Sequence, residues 1–489
     1  MSRGPDTAEA EYVPDPNRWK ALAVCLLAGF ITLLDVSIVN VALPSIRTGL
    51  GATTSDIQWV VSGYALAFGL LLVPAGRLGD ARGRRRLFMT GLTLFTVASA
   101  LCGAALDPTW LVLSRLLQGL AGGVLAPQVS ALIQQMFRGA ERGKAFGFFG
   151  AVIGLSTAVG PVIGGLIIYA VGADHGWRGI FFVNLPVCLI ALVLARRLLP
   201  GPESDAAPCA RDLDPVGVVL LGGGVALLLL PLVQERQWHG PGKWLLVPAA
   251  LVLFVCFVGW ELRHARRAQP LVDMTLFRER SYALGSLLML VYFAGFTSIF
   301  FVLTLYLQIG LDYSALEAGL ATTPFALGSG VSAAVSGRLV KRYGRRLVVA
   351  ALTASGLGLL LVIVAVHEVP GPNAGFAVAA PLLLAGVGGG CVIAPNQTLT
   401  LAAVPPAQGG SAGGVLQTGQ RIGSAVGIAT VGSVFFSRLA VAHGDEATAF
   451  QYALAVSVAF VGLALLVGLA DLGTRHRKER APGPAEVDR

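Results

Sequence analysis

Long apolar runs alternate with short polar gaps along almost the whole chain. Runs of at least ~18 residues, enough to cross a bilayer, fall at about 20–43, 57–75, 87–106, 110–133, 146–171, 179–199, 215–233, 244–262, 283–308, 316–337, 347–366, 375–398, 411–436 and 450–471. The pattern predicts an all-α polytopic membrane protein with about fourteen spans. An even number of spans puts both termini on one side of the membrane.

The polar gaps predict which side. With the N-terminus inside, about 29 of the 36 Lys and Arg fall in cytoplasmic segments and about 5 outside, as the positive-inside rule requires. The expected location is therefore the cell membrane, multi-pass, with both termini cytoplasmic. Two basic gaps stand out, "GRLGDARGRRRLF" (Gly76 to Phe88) and "GRLVKRYGRRLV" (Gly337 to Val348). In each, a Gly-Arg-Leu is followed seven positions after its first glycine by Gly-Arg-Arg. A second echo pairs "GGVLAPQ" (Gly122 to Gln128) with "GGCVIAPNQ" (Gly389 to Gln397). The offset of roughly 260–270 residues marks an internal duplication of a six-span unit, with two extra spans between the copies. The expected organisation is a cytoplasmic tail (1–19), a six-helix bundle (20–199), a linker carrying two extra spans (200–280), a second six-helix bundle (281–471) and a cytoplasmic tail (472–489).

Composition narrows the function. The 489 residues are 55% hydrophobic and only 13% charged, with a mean hydropathy of +0.73, whereas a soluble domain carries roughly 25% charged residues. The net charge of +9 sits in the gaps and forms no face, which argues against a nucleic-acid partner. Five of the six cysteines lie in apolar runs, Cys209 lies in the linker, and no CxxC occurs, so neither a disulfide framework nor a metal site is expected. Gly143-Lys144 and Gly242-Lys243 are followed by Ala145 and Trp244, which rules out a Walker A loop. No nucleophile–base pair or cofactor motif lies at membrane depth, so an enzyme is not expected. An ion gradient is the available energy source.

Charges within spans are functional candidates by default, and three are clear: Asp35, Arg115 and Arg421. Asp35 lies about nine residues before Pro44, taken as the outer end of span one, hence ~13 Å deep, and Arg115 is ~8 Å deep in span four. They are close enough in depth to meet. Their pairing reads either as a structural lock or as a proton switch, in which withdrawing the arginine raises the affinity of Asp35 for a proton. Arg421 lies ~16 Å into span thirteen, where it either holds backbone carbonyls or lines a cavity. Asn40 and Gln118 are further candidates for the cavity. Tyr292, Phe296 and Phe300 form one helical stripe that lines a cavity or faces lipid. In span five, Gly160 and Pro161 interrupt the backbone ladder, and Gly164 and Gly165 permit close approach of a neighbour.

Taken together these stretches resemble the major facilitator superfamily, specifically its fourteen-helix drug–proton antiporters. "GRLGDARGRRRL" resembles the signature loop between spans two and three, with Gly76, Asp80, Gly83 and Arg84 at its marked positions and Ala81 where a basic residue is usual. "LSRLLQGLAGG", holding Arg115 and Gln118, resembles the proton-coupling motif of span four. "GPVIGG" resembles the exporter motif of span five, with Ser156 in place of a usual upstream glycine. "LLDVSIVNVALP", "WRGIFFVNLP" and "LYLQIGLDYSALEAGLATTP" are similar to stretches of the fourteen-span group. The resemblance implies two six-helix bundles around a central cavity, plus two extra helices. It implies proton-coupled efflux of small, mostly apolar or cationic compounds by a monomer; the alternative is a narrow metabolite exporter or an importer of the same superfamily.

The orientation is testable. In a cysteine-less background, Ala81→Cys and Tyr343→Cys are expected to resist an impermeant thiol reagent applied to whole cells and to react fully once the cells are opened. Labelling of either position from outside would overturn it.

Overall fold

The structure, a computed structural model, describes residues 15–172, 175–201, 214–233, 238, 240–441 and 445–480. The predicted tails lie largely outside these residues, as does Cys209. Every regular element among them is helical. The helices are α1 (Arg18–Leu50), α2 (Thr54–Arg82), α3 (Arg84–Gly103), α4 (Pro108–Met136), α5 (Gly139–Val171), α6 (Gly176–Phe182), α7 (Asn184–Leu198), α8 (Pro215–Val233) and α9 (Leu246–His264). They continue as α10 (Arg280–Leu305), α11 (Ala315–Tyr343), α12 (Arg345–Glu368), α13 (Ala374–Ala377), α14 (Ala379–Thr400), α15 (Gly409–Val441) and α16 (Glu446–Arg480). Among the described residues 14 stretches are long and apolar enough to span a membrane, with α6 and α7 together forming one of them.

Local chemistry sets the ends. Thr53 and Ser314 close capping boxes with Asp56 and Glu317 at the starts of α2 and α11, and Asp107 caps α4 through the Trp110 amide, each satisfying orphan amides of a first turn. The repeated second glycine of the basic gaps has a specific reason. Gly83 has φ 102 and Gly344 has φ 53, so each turns the chain sharply between two helices in backbone space that a side chain disfavours.

One boundary differs from the sequence expectation. α1 does not stop near Pro44 but runs on to Leu50, where Gly51 ends it with φ 61. Proline removes one donor without forcing a stop here, and Asp35 therefore lies at mid-helix, ~22 Å from the end of α1 rather than ~13 Å. Likewise α5 stays continuous through Pro161.

The helix contacts follow the duplication. α2 packs on α4 and α15, and α11 packs on α14 and α5. The first glycine of each basic gap is the point of closest approach. A Cβ on Gly76 would lie 2.2 Å from the Gly410 carbonyl oxygen, and one on Gly337 would lie 2.4 Å from that of Gly143. The two copies thus use the same residue for the same purpose: each lets a helix of one half touch a helix of the other, backbone to backbone. Ser130 on α4 fills the space between these seams, accepting from Gln397 and Gln417 at 3.3 and 3.2 Å. At this end of the molecule the two halves are shut. The extra helices α8 and α9 pack on each other, and α8 also lies on α2 and α15.

Side chains at either seam must therefore wedge the halves apart. Gly76→Leu and Gly337→Leu are each expected to favour opening at this end. In a cysteine-less background, Ser130→Cys should then react with a thiol reagent about tenfold faster, the factor that ~1.4 kcal/mol off the closed state produces. Unchanged reactivity in both would contradict the seam.

Candidate functional site: a buried carboxylate behind a cavity

Asp35 in α1 is fully buried, and Arg115 in α4 is 2% exposed. Their ion pair closes at 2.6 Å between Oδ2 and Nη1. Unpaired, either charge would be prohibitively costly inside a membrane; paired, each still needs its remaining donors and acceptors filled. The structure fills most of them. The other Asp35 oxygen, Oδ1, accepts from Gln118 Nε2 at 2.9 Å and from Asn184 Nδ2 at 2.8 Å. Arg115 donates through Nε to the Val60 carbonyl at 3.0 Å and through Nη1 to Gln118 Oε1 at 2.6 Å. Ser99 Oγ accepts from Gln118 at 2.8 Å and from Asn184 at 3.3 Å. Five helices, α1 to α4 and α7, thus converge on one carboxylate, and the Arg115 guanidinium stacks over Tyr64 at 4.2 Å.

This pair borders a cavity. The lining includes Asn40, Tyr64, Arg115 and Arg421, with Val36, Val39 and Val61 as an apolar wall. Arg115 is therefore shared, bonded to Asp35 on one side and facing the cavity on the other. Arg421 reaches the cavity from the second half and lies over Phe68 at 4.3 Å. α15 is unbroken around it, so it repairs no lost helical turn. Gln118, expected in the cavity, belongs instead to the Asp35 cluster behind it.

The span-five glycines bear on the same helix. A Cβ on Gly160 would lie 1.9 Å from Ser37 Oγ, and one on Gly164 would lie 2.9 Å from Ile38. Ser37 donates to the Ser156 carbonyl at 3.0 Å. α5 is thus pressed against the turn of α1 that follows Asp35. Gly165 faces open space instead.

The aromatic stripe takes another position. Tyr292 and Phe296 are 1% and 7% exposed. Phe296 packs on Tyr292, Phe300 and Phe325 at centroid distances of 5.6, 5.5 and 5.8 Å, within the second half. None of the three lines the cavity beside Asp35.

Asp80 marks the shut end. Its Oδ1 accepts from the Gly410 amide at 3.0 Å and its Oδ2 from the Ser411 amide at 2.9 Å, so it caps the N-terminus of α15, where the helix dipole favours an anion. Arg84 pairs with Asp80 at 2.8 Å and also donates to the Pro406 carbonyl across the seam.

Sequence reasoning missed Asn184, Ser99 and Tyr64. The signal for Asn184 was available, since it is a lone amide inside the apolar stretch "WRGIFFVNLP".

Comparison with known proteins agrees with this architecture. The Major Facilitator Superfamily profile matches residues 25–428 and 285–487. The chain is 38% identical over 449 residues to a probable actinorhodin transporter of Streptomyces coelicolor, spanning 91% of this chain and 76% of that protein. It is 37% identical over 488 residues to the puromycin resistance protein pur8 of Streptomyces alboniger, spanning 96% and 95%. The fold matches the proton:xylose symporter XylE with a TM-score of 0.64 at 16% identity, covering 93% of this chain and 95% of that one. The chain is a multi-pass membrane protein that belongs to the major facilitator superfamily of small-molecule transporters.

Proposed function

We propose that the protein exports small, mostly apolar organic compounds across the cell membrane in exchange for protons, acting as a monomer with its basic end in the cytoplasm. The carrying observation is the sharing of Arg115 between the Asp35 carboxylate and the cavity. The relatives' names, a transporter of actinorhodin and a puromycin resistance protein, support export of small organic molecules.

The coupling works through Arg115. With Asp35 ionised, the guanidinium is held at the edge of the cavity by its bond to the carboxylate, and α1 is tied to α4 and α7. A proton on Oδ2 cancels the charge that Arg115 answers. Arg115 keeps its acceptors on Gln118 and Val60 but loses the charge-assisted bond, each such bond contributing ~1.5–3 kcal/mol. It is then freer to turn toward the cavity, and α1 is freer to move against the glycines of α5. Closure at the basic end rests on Asp80 and the glycine seams. The membrane-depth switch and this closure are joined by α2, which carries Tyr64 under Arg115 and Asp80 at its far end. Proton uptake on the outer side and release on the inner side then alternate with the two states, and substrate moves the other way.

Asp35→Asn keeps the shape and removes the titratable oxygen. In everted vesicles, uptake of a compound selected by a toxicity panel should fall to less than about a tenth of wild type when driven by a pH gradient, while exchange of that compound without a gradient continues. Undiminished gradient-driven uptake by the variant would sink Asp35 as the coupling group. Complete loss of exchange would instead assign it to binding.

A further inference from the structure

The polar lining of the cavity specifies a substrate class, an inference that rests on the export reading above. Four polar side chains line it: Asn40, Tyr64, Arg115 and Arg421. Arg115 is satisfied by Asp35, Gln118 and Val60. Arg421 is not. Among the described residues it forms no ion pair or hydrogen bond, and its stabilising neighbour is the Phe68 ring. The Tyr64 hydroxyl is buried without a partner, and the Asn40 amide also has none. Asp35, the carboxylate nearest this cavity, already accepts from Arg115, Gln118 and Asn184.

The cavity is therefore rich in unmatched donors and holds one more positive charge than negative. A guanidinium removed from water asks for an oxyanion, with its fork suited to two oxygens. Around it Val36, Val39, Val61 and Ala65 offer only apolar contact. We propose that this site, which encloses about 50 Å³ in the state described and must widen to admit a ring, takes an organic anion: an apolar body against the valine wall, with an acidic oxygen group held by Arg421 and the Tyr64 hydroxyl. A cationic compound would face Arg421 with like charge and no free carboxylate.

The test compares three probes on one ring system: anthracene-9-carboxylate, its methyl ester, and 9-(aminomethyl)anthracene. Binding to the purified full chain in lipid nanodiscs is read by anthracene fluorescence. The wild type should bind the carboxylate at least about tenfold tighter than the ester and the amine more weakly than either. Arg421→Gln should bring carboxylate and ester to within about twofold of each other by weakening the carboxylate alone. Arg421→Lys, which keeps charge but loses the fork, should fall between. Equal binding of acid and ester by the wild type, an unchanged preference in Arg421→Gln, a preference for the amine, or binding of none of the three would each overturn the proposal. If Arg421→Gln does not yield folded protein by size exclusion, the wild-type preference together with Arg421→Lys decides. Equilibrium binding needs no gradient, so a separate failure of cells to export the bound probe would count against the export reading and not against the anion site.

Discussion

A charge at membrane depth must be answered by another, and the first half of this protein is arranged around that requirement. Asp35 and Arg115 neutralise each other, but a pair alone would leave several lone pairs and N–H groups unmet in a medium without water. Gln118, Asn184, Ser99 and the Val60 carbonyl meet most of them. Each comes from a different turn or helix, so the cluster fixes how α1, α2, α3, α4 and α7 stand relative to one another. Removing one partner of a buried pair typically costs ~3–5 kcal/mol because the other is stranded. On the proposed coupling the same fact would make protonation an effective switch, since it alters the charge without leaving a vacancy.

At the shut end the closest approaches between the halves are backbone to backbone, with the Asp80 carboxylate capping α15 across them. Gly76 meets Gly410 and Gly337 meets Gly143 at backbone distance, two crossings related by the duplication. The echo extends deeper. Ser37 bonds the Ser156 carbonyl between α1 and α5, and Thr297 bonds Ser424 at 2.8 Å between α10 and α15. At the offset of the seam, Gly160 corresponds to Gly427, which approaches the Ala294 carbonyl closely, and Ser156 corresponds to Gly423, packed on Leu290. Ser156 thus stands where the second half has a packing glycine; the bond from Ser37 goes to its backbone carbonyl, which any residue there would supply, and its own hydroxyl donates to the Ile153 carbonyl at 3.0 Å.

Much of this was legible in the sequence because the bilayer makes certain residues expensive. Asp35 and Arg115 stand out since few charges sit in apolar runs, and expected depths of ~13 and ~8 Å put them within reach of each other, although the end of α1 was misplaced at Pro44. The glycines of the basic gaps repeat, and repetition is visible without a structure. Asn184 and Ser99 were not visible as partners, because neutral polar residues cost little in a span and nothing in a one-dimensional pattern shows which helices face each other. The partners of Asp80 across the seam could not be read, since they are the amides of Gly410 and Ser411, which any sequence would supply. The period of Tyr292, Phe296 and Phe300 identified one face correctly but not what it meets; that follows from Phe325 on α11.

The extra helices are also tied to the shut end. The segment after α9 reaches across the shut end: Gln269 accepts from Arg77 at 2.7 Å, and Asp273 accepts from Gln408 at 3.2 Å. Arg77 belongs to the first basic gap and Gln408 immediately precedes α15, so this segment touches both sides of one seam. Its own footing is polar and buried. Glu261 accepts from the Val272 amide, and Asp214 accepts from Trp260 at 2.8 Å and from the Gly217 amide at 3.0 Å. The duplication has no counterpart for this strap, just as it has Lys341 where the first gap has Asp80 and Leu383 where span four has Arg115. The asymmetry is consistent in direction. The halves share the glycine geometry that lets them close, while Asp35, Arg115, Asp80 and the strap on Arg77 gather their polar contacts on the first half. The second half keeps a buried pair of its own, Arg345 with Asp471, and contributes Arg421 to the cavity, where a charge without a protein partner among the described residues is free to answer a ligand.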